Sequence, residues 1–355
     1  MSGGVDSSVA AFLMKEQGFE CAGATMKLFS KDDIGASGES RCCSVDDVAD
    51  ARSVAARIGI PHFVFNFSDD FREKVIAHFV RSYLDGETPN PCIDCNKYLK
   101  FEKFLQRAKE LYYDHIVTGH YAVIEKDSAS GRFILKKGED RTKDQSYVLY
   151  GMTQEQLEHT VLPLGTLKKS EVREIAEAQG FLNAKKHESQ DICFVPDGRY
   201  AEFIERNTGV RNKPGNFVGT DGEMIARHQG IVRYTIGQRK KLGISLREPL
   251  FVCAKNAEDN TVVLGKEERL FSKALIANAV NLIACDSIKK PLRVKAKTRY
   301  RQPEQWATAE QTGPDELRVE FDEPLRAIAP GQAVVMYDGD TVVGGGTIRR
   351  AGNDI

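Results

Sequence analysis

The hydrophobic period of this chain changes once, near residue 200, and that change limits what it can fold into. Up to about residue 185, helical patterns alternate with short apolar runs. Helices are predicted over 7–17, closed by Gly18, over 46–58, closed by Gly59, and over 97–111. Strands are predicted over 20–27, 62–67 and 115–118. Such alternation calls for a parallel sheet with helices on both faces. Beyond residue 200, clusters of Gly, Pro and charge separate short stretches such as 230–236. From about 290 the pattern is short alternating strands at 292–300, 317–321, 333–337 and 341–348, with Asp338-Gly339-Asp340 as a hairpin turn. At 355 residues the chain is long enough for two or three domains. The expected layout is an α/β domain over 1–197, a small β-rich central module over 198–270 and a C-terminal antiparallel β-barrel over 271–355. There is no internal repeat and no low-complexity tract.

The first helical stretch opens on Ser2-Gly3-Gly4-Val5-Asp6-Ser7-Ser8. Adjacent glycines reach backbone angles closed to other residues, so successive N–H groups can converge on one anion. The helix behind them adds its unpaired N–H groups and the positive end of its dipole. Ser7 and Ser8 offer hydroxyls, and Asp6 could hold Mg²⁺ against a phosphate. The Gly-Lys-Ser/Thr ending of a Walker A loop is absent. The string resembles instead the PP-loop of enzymes that adenylylate a substrate and release pyrophosphate. The plainer alternative is a glycine-rich turn capping a helix.

The formal net charge is −1, so a nucleic-acid partner would need a local basic patch. Arg233, Arg239, Lys240 and Lys241 cluster in the central module. Lys295, Lys297, Arg299 and Arg301 alternate, which on one strand would put all four on one face; a solvated basic face is the alternative. No apolar run is long enough to cross a membrane and no signal peptide precedes the loop, so a cytoplasmic protein is expected. Eight cysteines in a chain of this size read as reactive or metal-binding thiols in a reducing compartment. Cys92 and Cys95 lie in Thr88-Pro89-Asn90-Pro91-Cys92-Ile93-Asp94-Cys95-Asn96-Lys97, a proline-fixed loop entering a helix. Cys95, near the helix start with Lys97 close, sits where a thiolate is favoured. Half of a zinc site is the alternative, and no second pair at zinc spacing completes it. Cys193, in Glu188-Ser189-Gln190-Asp191-Ile192-Cys193-Phe194, taken alone reads as a small buried hydrophobe. Cys42-Cys43 reads as structural or incidental.

Together these residues resemble the tRNA-specific 2-thiouridylase family over nearly the whole chain. Besides the PP-loop, the resemblance rests on Gly23-Ala24-Thr25-Met26-Lys27, the Asn-Pro-x-x-x-Cys-Asn loop at 90–96, Thr118-Gly119-His120-Tyr121 and Lys143-Asp144-Gln145-Ser146-Tyr147. It continues with Asp191-Ile192-Cys193-Phe194, Tyr234-Thr235-Ile236-Gly237-Gln238-Arg239-Lys240, Lys297-Thr298-Arg299-Tyr300-Arg301-Gln302, Pro330-Gly331-Gln332 and Gly344-Gly345-Gly346. The PP-loop is shared with many adenylylating enzymes; the paired cysteines and the Lys143–Tyr147 string narrow the match to this family.

The resemblance implies a PP-loop ATPase-type domain (adenine nucleotide alpha hydrolase-like) and ATP-dependent 2-thiolation of the wobble uridine of tRNA. ATP binding is carried over to Met1, Ser2, Gly3, Gly4, Val5, Asp6, Ser7, Ser8, Met26 and Gly119, with Mg²⁺ on Asp6. Cys193 is implied as the persulfide carrier and Cys95 as the nucleophile that frees its sulfur, leaving a Cys95–Cys193 disulfide. Asn90, Pro91 and Cys92 match the loop that contacts the target base, which must leave its stack. His120, Lys143, Asp144, Gln145, Arg299, Tyr300 and Gln332 match tRNA contacts. The implied partners are tRNAs of the Lys, Glu and Gln type and a persulfide donor such as a cysteine desulfurase or sulfur relay protein. Two departures stand out. The family has an apolar, central strand before the PP-loop, whereas this chain begins inside the motif, so an open place in the sheet is expected. Some members carry aspartate at the position of Cys92; a third cysteine admits an iron–sulfur cluster on Cys92, Cys95 and Cys193 as an alternative. A PP-loop synthetase acting on a small molecule, which needs neither the cysteine pair nor an RNA surface, is a further alternative, as is an RNA-binding remnant without catalysis.

Overall fold

The computed structural model describes residues 1–30, 45–186, 192–195, 198–246 and 248–352. Cys42, Cys43 and Asp191 lie outside the described residues. The chain forms two compact units: 1–75 with 92–198 and 340–342, and 76–91 with 199–339 and 343–355.

The first unit is the alternating α/β part. Helix α1 (Val5–Glu16) leads to strand β1 (Gly23–Lys27), and helix α2 (Val45–Arg57) to β2 (His62–Asn66). The two strands pair in parallel from Gly23↔His62 to Lys27↔Asn66. A second parallel pair joins β3 (Ile116–Val117) to β6 (Thr160–Val161). The sheet is thus parallel as the alternation requires, but among the described residues no strand joins the two pairs. Met1 runs beside β1: its nitrogen donates to the Ala24 carbonyl, and its own carbonyl accepts from Thr25 Oγ1 at 2.7 Å. Helix α3 runs through Pro91–Asp94, Cys95–Lys103 and Phe104–Glu110, with Cys95–Lys103 wound as a π-helix. Helix α4 (Lys169–Ala178) lays Val172 and Ala176 against Val5, Val9 and Ala10 of α1. Removing that apolar face from water is what holds the phosphate-loop helix in place.

An antiparallel hairpin of β4 (Ala122–Lys126) and β5 (Phe133–Lys137) interrupts the alternation. Its turn carries its own signal: the Asp127 carboxylate accepts from the Ser130 N–H at 2.9 Å, and Gly131 takes φ +73°. The turn residues mark a hairpin that helix–strand alternation alone does not reveal.

The second unit holds helices Ala77–Leu84 and Tyr200–Thr208, packed through Phe79 and Phe203 with ring centroids 6.1 Å apart. A four-stranded sheet follows in the order β8 (Met224–His228), β7 (Gly215–Val218), β10 (Thr261–Gly265), β9 (Phe251–Asn256). The remaining strands are β11 (Phe271–Leu282), β12 (Leu292–Lys297), β13 (Gln305–Gly313), β14 (Glu316–Arg326), β15 (Ala333–Asp338) and β16 (Thr341–Gly352). They run β11-β14-β13-β12-β15-β16, and pairing of β11 with β16 from Ala274↔Gly352 to Leu282↔Gly344 closes an antiparallel barrel. Leu275, Val294, Ala307, Val319, Phe321 and Met336 fill its inside. Closure removes the strand edges that an open sheet would expose.

Candidate active site

The loop before α1 is shaped by close approach. Gly3 has φ +72°, and a Cβ there would lie 2.5 Å from the Asp47 carbonyl oxygen at the start of α2. A Cβ on Gly119 would lie 2.7 Å from the Asp6 carbonyl carbon and 2.8 Å from the Ser7 nitrogen. Only glycine admits both contacts. They bring Gly119 onto Asp6 and Ser7. Gly4 caps α1 without any side-chain hydrogen bond to the first turn. Gly4 itself offers the leading N–H groups of α1 no side-chain acceptor, which suits them to an anion. The hydroxyls of Ser7 and Ser8 donate to the Gly4 carbonyl at 3.1 and 3.0 Å, and the Ser2 N–H donates to Ser7 Oγ at 3.0 Å. These serines hold the loop as well as line it. Met26 stands on β1 opposite Phe65 of β2.

Three residues of this site, Asn183, Lys186 and Lys169, carry no motif of their own, and a fourth, Tyr121, ends the Thr118–Tyr121 string. Asn183 donates its amide to the Gly3 carbonyl at 3.0 Å and to Ser8 Oγ at 2.9 Å, while its own Oδ1 is buried without a partner. Lys186 reaches Asp47 at 2.6 Å and Asp50 at 2.8 Å beside the same carbonyl. Lys169 and the Tyr121 hydroxyl both donate to Asp6 Oδ1, at 2.6 and 2.7 Å. Each is an ordinary polar residue in sequence; only folding brings it to the loop.

Tyr121 links the loop to the expected tRNA contacts. Its N–H donates to Gln145 Oε1 and its carbonyl accepts from the Gln145 N–H, both at 2.9 Å. Asp144 accepts from the Gly138 and Ser146 N–H groups at 3.1 Å and fixes the turn into Ser146–Leu149, while half-buried Lys143 stands beside it. His120 is buried, with Nδ1 2.8 Å from Thr118 Oγ1 and Nε2 3.5 Å from the Lys100 ammonium. Burial and that ammonium push its pKa well below the ordinary histidine value, so it is neutral near pH 7.

Lys100 belongs to the π-wound stretch of α3 that begins with Cys95, so His120 helps seat the cysteine-bearing helix. Asn96, next to Cys95, is 3% exposed and donates to the Val148 carbonyl at 3.1 Å; its Oδ1 has no partner. Wide turns of this kind recur at functional sites. Cys95 and Cys193 are half-buried and Cys92 is exposed. Phe194 anchors Cys193 by packing edge-on against Phe71, centroids 5.5 Å apart, and Phe71 packs on Phe29 beyond β1. The iron–sulfur alternative needs three clustered thiolates. Among the described residues no group of three His, Cys, Asp or Glu side chains comes together as a metal-binding cluster.

The remaining expected contacts lie in the second unit. Asn90 and Pro91 end its 76–91 segment. The basic strand differs from expectation: β12 stops at Lys297, and the Thr298 N–H and hydroxyl donate to Gln302 Oε1 across a turn. Arg299 and Arg301 therefore do not continue a strand face. Lys297 is buried with its ammonium 5.4 Å from the Tyr337 ring centroid, and Arg299 donates to the Ile236 and Ala327 carbonyls. Unmet carbonyls and an aromatic face inside the unit compete for these cations, and period-2 reasoning cannot see them. Tyr300 is half-buried beside Arg299, while Arg239, Lys240 and Lys241 are exposed. Gln332 donates to the Thr88 carbonyl at 2.7 Å.

Fold and site define an α/β protein with a glycine-rich loop before its first helix, followed along the chain by two β modules. Residues 1–197 match the family described as tRNA methyl transferase HUP domain, 201–266 the tRNA methyl transferase PRC-barrel domain and 272–348 the aminomethyltransferase beta-barrel domain. The chain is 52% identical over 351 residues to the tRNA-specific 2-thiouridylase MnmA of Clostridioides difficile (strain 630), covering 99% of this chain and 97% of that one. It is 53% identical to tRNA-specific 2-thiouridylase MnmA 1 of Thermoanaerobacter sp. (strain X514), covering 99% and 96%, and 50% identical to the MnmA of Acetivibrio thermocellus, covering 98% of each. The chain belongs to the tRNA-specific 2-thiouridylase family. Among the described residues no helix is long and apolar enough to cross a membrane.

Proposed function

We propose that this protein is an ATP-dependent tRNA sulfurtransferase that replaces the 2-oxygen of the wobble uridine with sulfur. The observation that carries the reading is the loop at 2–8. Its side-chain-uncapped helix start faces the close-packed Gly119, in a chain of this family. A uracil 2-oxygen is a poor leaving group. Transfer of AMP from ATP to that oxygen turns it into a good one and releases pyrophosphate, whose charge the N–H groups of α1 and the loop are suited to accept. Asp6 would hold Mg²⁺ arriving with ATP, since this ion is commonly held by one or two carboxylates together with phosphate oxygens, and the ion would neutralise the departing phosphates.

Cys193 carries the sulfur as a persulfide. Its terminal sulfur attacks C2 and AMP departs, leaving the base joined to Cys193 through a disulfide. The Cys95 thiolate then attacks Sγ of Cys193; the S–S bond breaks, sulfur stays on the base, and a Cys95–Cys193 disulfide forms that must be reduced before the next turnover. Half-burial of both thiols in the same unit supports this pairing. Asn90, Pro91 and Cys92 receive the base, and the β modules over 198–270 and 271–355 bind tRNA with the help of Arg299 and Tyr300. Lys143 to Gln145, tied to Asp6 through Tyr121, complete the RNA contacts. Substrate tRNAs are those of the Lys, Glu and Gln type, and sulfur comes from a cysteine desulfurase or a relay protein in the cytoplasm.

The test is mass spectrometry of nucleosides from tRNA incubated with the protein, ATP and a persulfide donor. Appearance of 2-thiouridine only when ATP is present supports the reading. Unmodified tRNA under those conditions, with a bound nucleotide, overturns it.

A further inference from the structure

The segment that ends in Asn90-Pro91 belongs to the second unit, although the cysteines that follow belong to the first. It is gripped at Glu87–Thr88 from two sides. From the barrel, the Pro330 carbonyl accepts from the Thr88 N–H at 2.8 Å and Gln332 Nε2 donates to the Thr88 carbonyl at 2.7 Å. Both main-chain groups of Thr88 are thus satisfied by one turn. Gly331, at φ +84°, comes so close that a Cβ there would lie 2.9 Å from Glu87 Cβ. From the four-stranded sheet, Lys255 on β9 turns its ammonium inward to the carbonyls of Glu87 at 3.3 Å and Tyr234 at 3.0 Å. Burial pushes Lys255 down to about 8, against the opposing pull of the Glu87 carboxylate.

We infer that Lys255 and Gln332 are positioning residues for the base-binding loop. They fix Asn90-Pro91 as part of the β modules that read the RNA and not as part of the nucleotide domain. The inference rests on the functional reading above. Gln332 then acts through Thr88, and Lys255 acts with it although its ammonium faces inward. A loop held at Glu87–Thr88 presents Asn90 in one place; released, it still lets tRNA dock on the β modules but presents the base-binding residues poorly.

The experiment uses the full chain and its Lys255→Met, Gln332→Glu and Gln332→Lys variants, each checked by thermal melt. It measures tRNA affinity by filter binding and thiolation rate at saturating tRNA. Lys255→Met and Gln332→Glu are expected to lower kcat at least about tenfold, and in Lys255→Met tRNA affinity changes less than about threefold. Gln332→Lys, which restores a donor, is expected to recover most of the rate. Because both residues act on one segment, the double variant is expected to be no slower than the slower single. Unchanged kcat in Gln332→Glu, with or without weakened tRNA affinity, would leave Gln332 no positioning role and overturn the proposal, as would a wild-type rate in Lys255→Met. If Lys255→Met does not fold, the Gln332 pair decides by the same criteria. A wild-type chain that does not thiolate tRNA fails the functional reading itself, whereas an active wild type with equally active variants fails the positioning proposal alone.

Discussion

Lys169 places its ammonium 2.6 Å from Asp6 Oδ1, joining the start of α4 to the first turn of α1. The cation faces the carboxylate of the 2–8 loop, and Tyr121 shares the same oxygen. Lys169→Met is expected to lower the rate of pyrophosphate release about 100-fold by removing a fixed positive charge from the site. Asp6→Ala is expected to abolish release and leave tRNA binding nearly intact. A phosphate-release assay coupled to pyrophosphatase reads both; undiminished release in Asp6→Ala counts against the loop's role.

The two thiols are expected to fail at different steps. Cys193→Ser should prevent sulfur loading and still permit adenylylation of the base, whereas Cys95→Ser should load sulfur and not release it. Intact-protein mass spectrometry after exposure to a persulfide donor separates them, because only Cys95→Ser should gain the mass of one sulfur at Cys193. Cys92→Asp, which introduces the residue that some members of the family carry there, should keep activity.

Gly119 leaves no room for a side chain against the Asp6 and Ser7 backbone. Gly119→Ala is expected to cost about 1–3 kcal/mol as the loop is pushed aside, with ATP affinity falling alongside. Chemical denaturation and nucleotide titration measure the pair of effects; unchanged ATP affinity would show that the loop tolerates the shift.

His120 ties folding to pH. Its pKa is lowered by burial and then by Lys100, so the unfolded chain takes up a proton that the folded chain refuses. The contribution is fully present above about pH 6.5 and is lost as pH falls below it, by up to about 1.4 kcal/mol per pH unit. His120→Gln, which cannot take the proton, is expected to flatten the acid side of the stability curve. Denaturant midpoints between pH 7 and pH 5 for both proteins test it, and parallel curves would refute it.

Much of the first unit is legible in the sequence because its determinants are local. Helix α1 ends at Glu16 and α2 at Arg57, each two residues before the glycine that stops it, and β2 falls within its predicted run. Barrel strands β12, β14, β15 and β16 follow from period-2 alternation, and the loop at 2–8 from adjacent glycines before an apolar helix. The expected face of four basic residues over 295–301 does not survive, because where Lys297 and Arg299 point depends on Tyr337 and on carbonyls at Ile236 and Ala327. No local period encodes those partners.

What the sequence by itself determined is the order of elements, the family and the residues able to carry the chemistry, since each is written in neighbouring positions. What only the tertiary structure decided is which polar groups meet. Lys169 reaches Asp6 across 163 positions, Asn183 reaches Gly3 across 180, and Gln332 reaches Thr88 across 244. These contacts form because buried carbonyls and carboxylates must find donors once water is excluded, and packing of distant segments decides which donors are near.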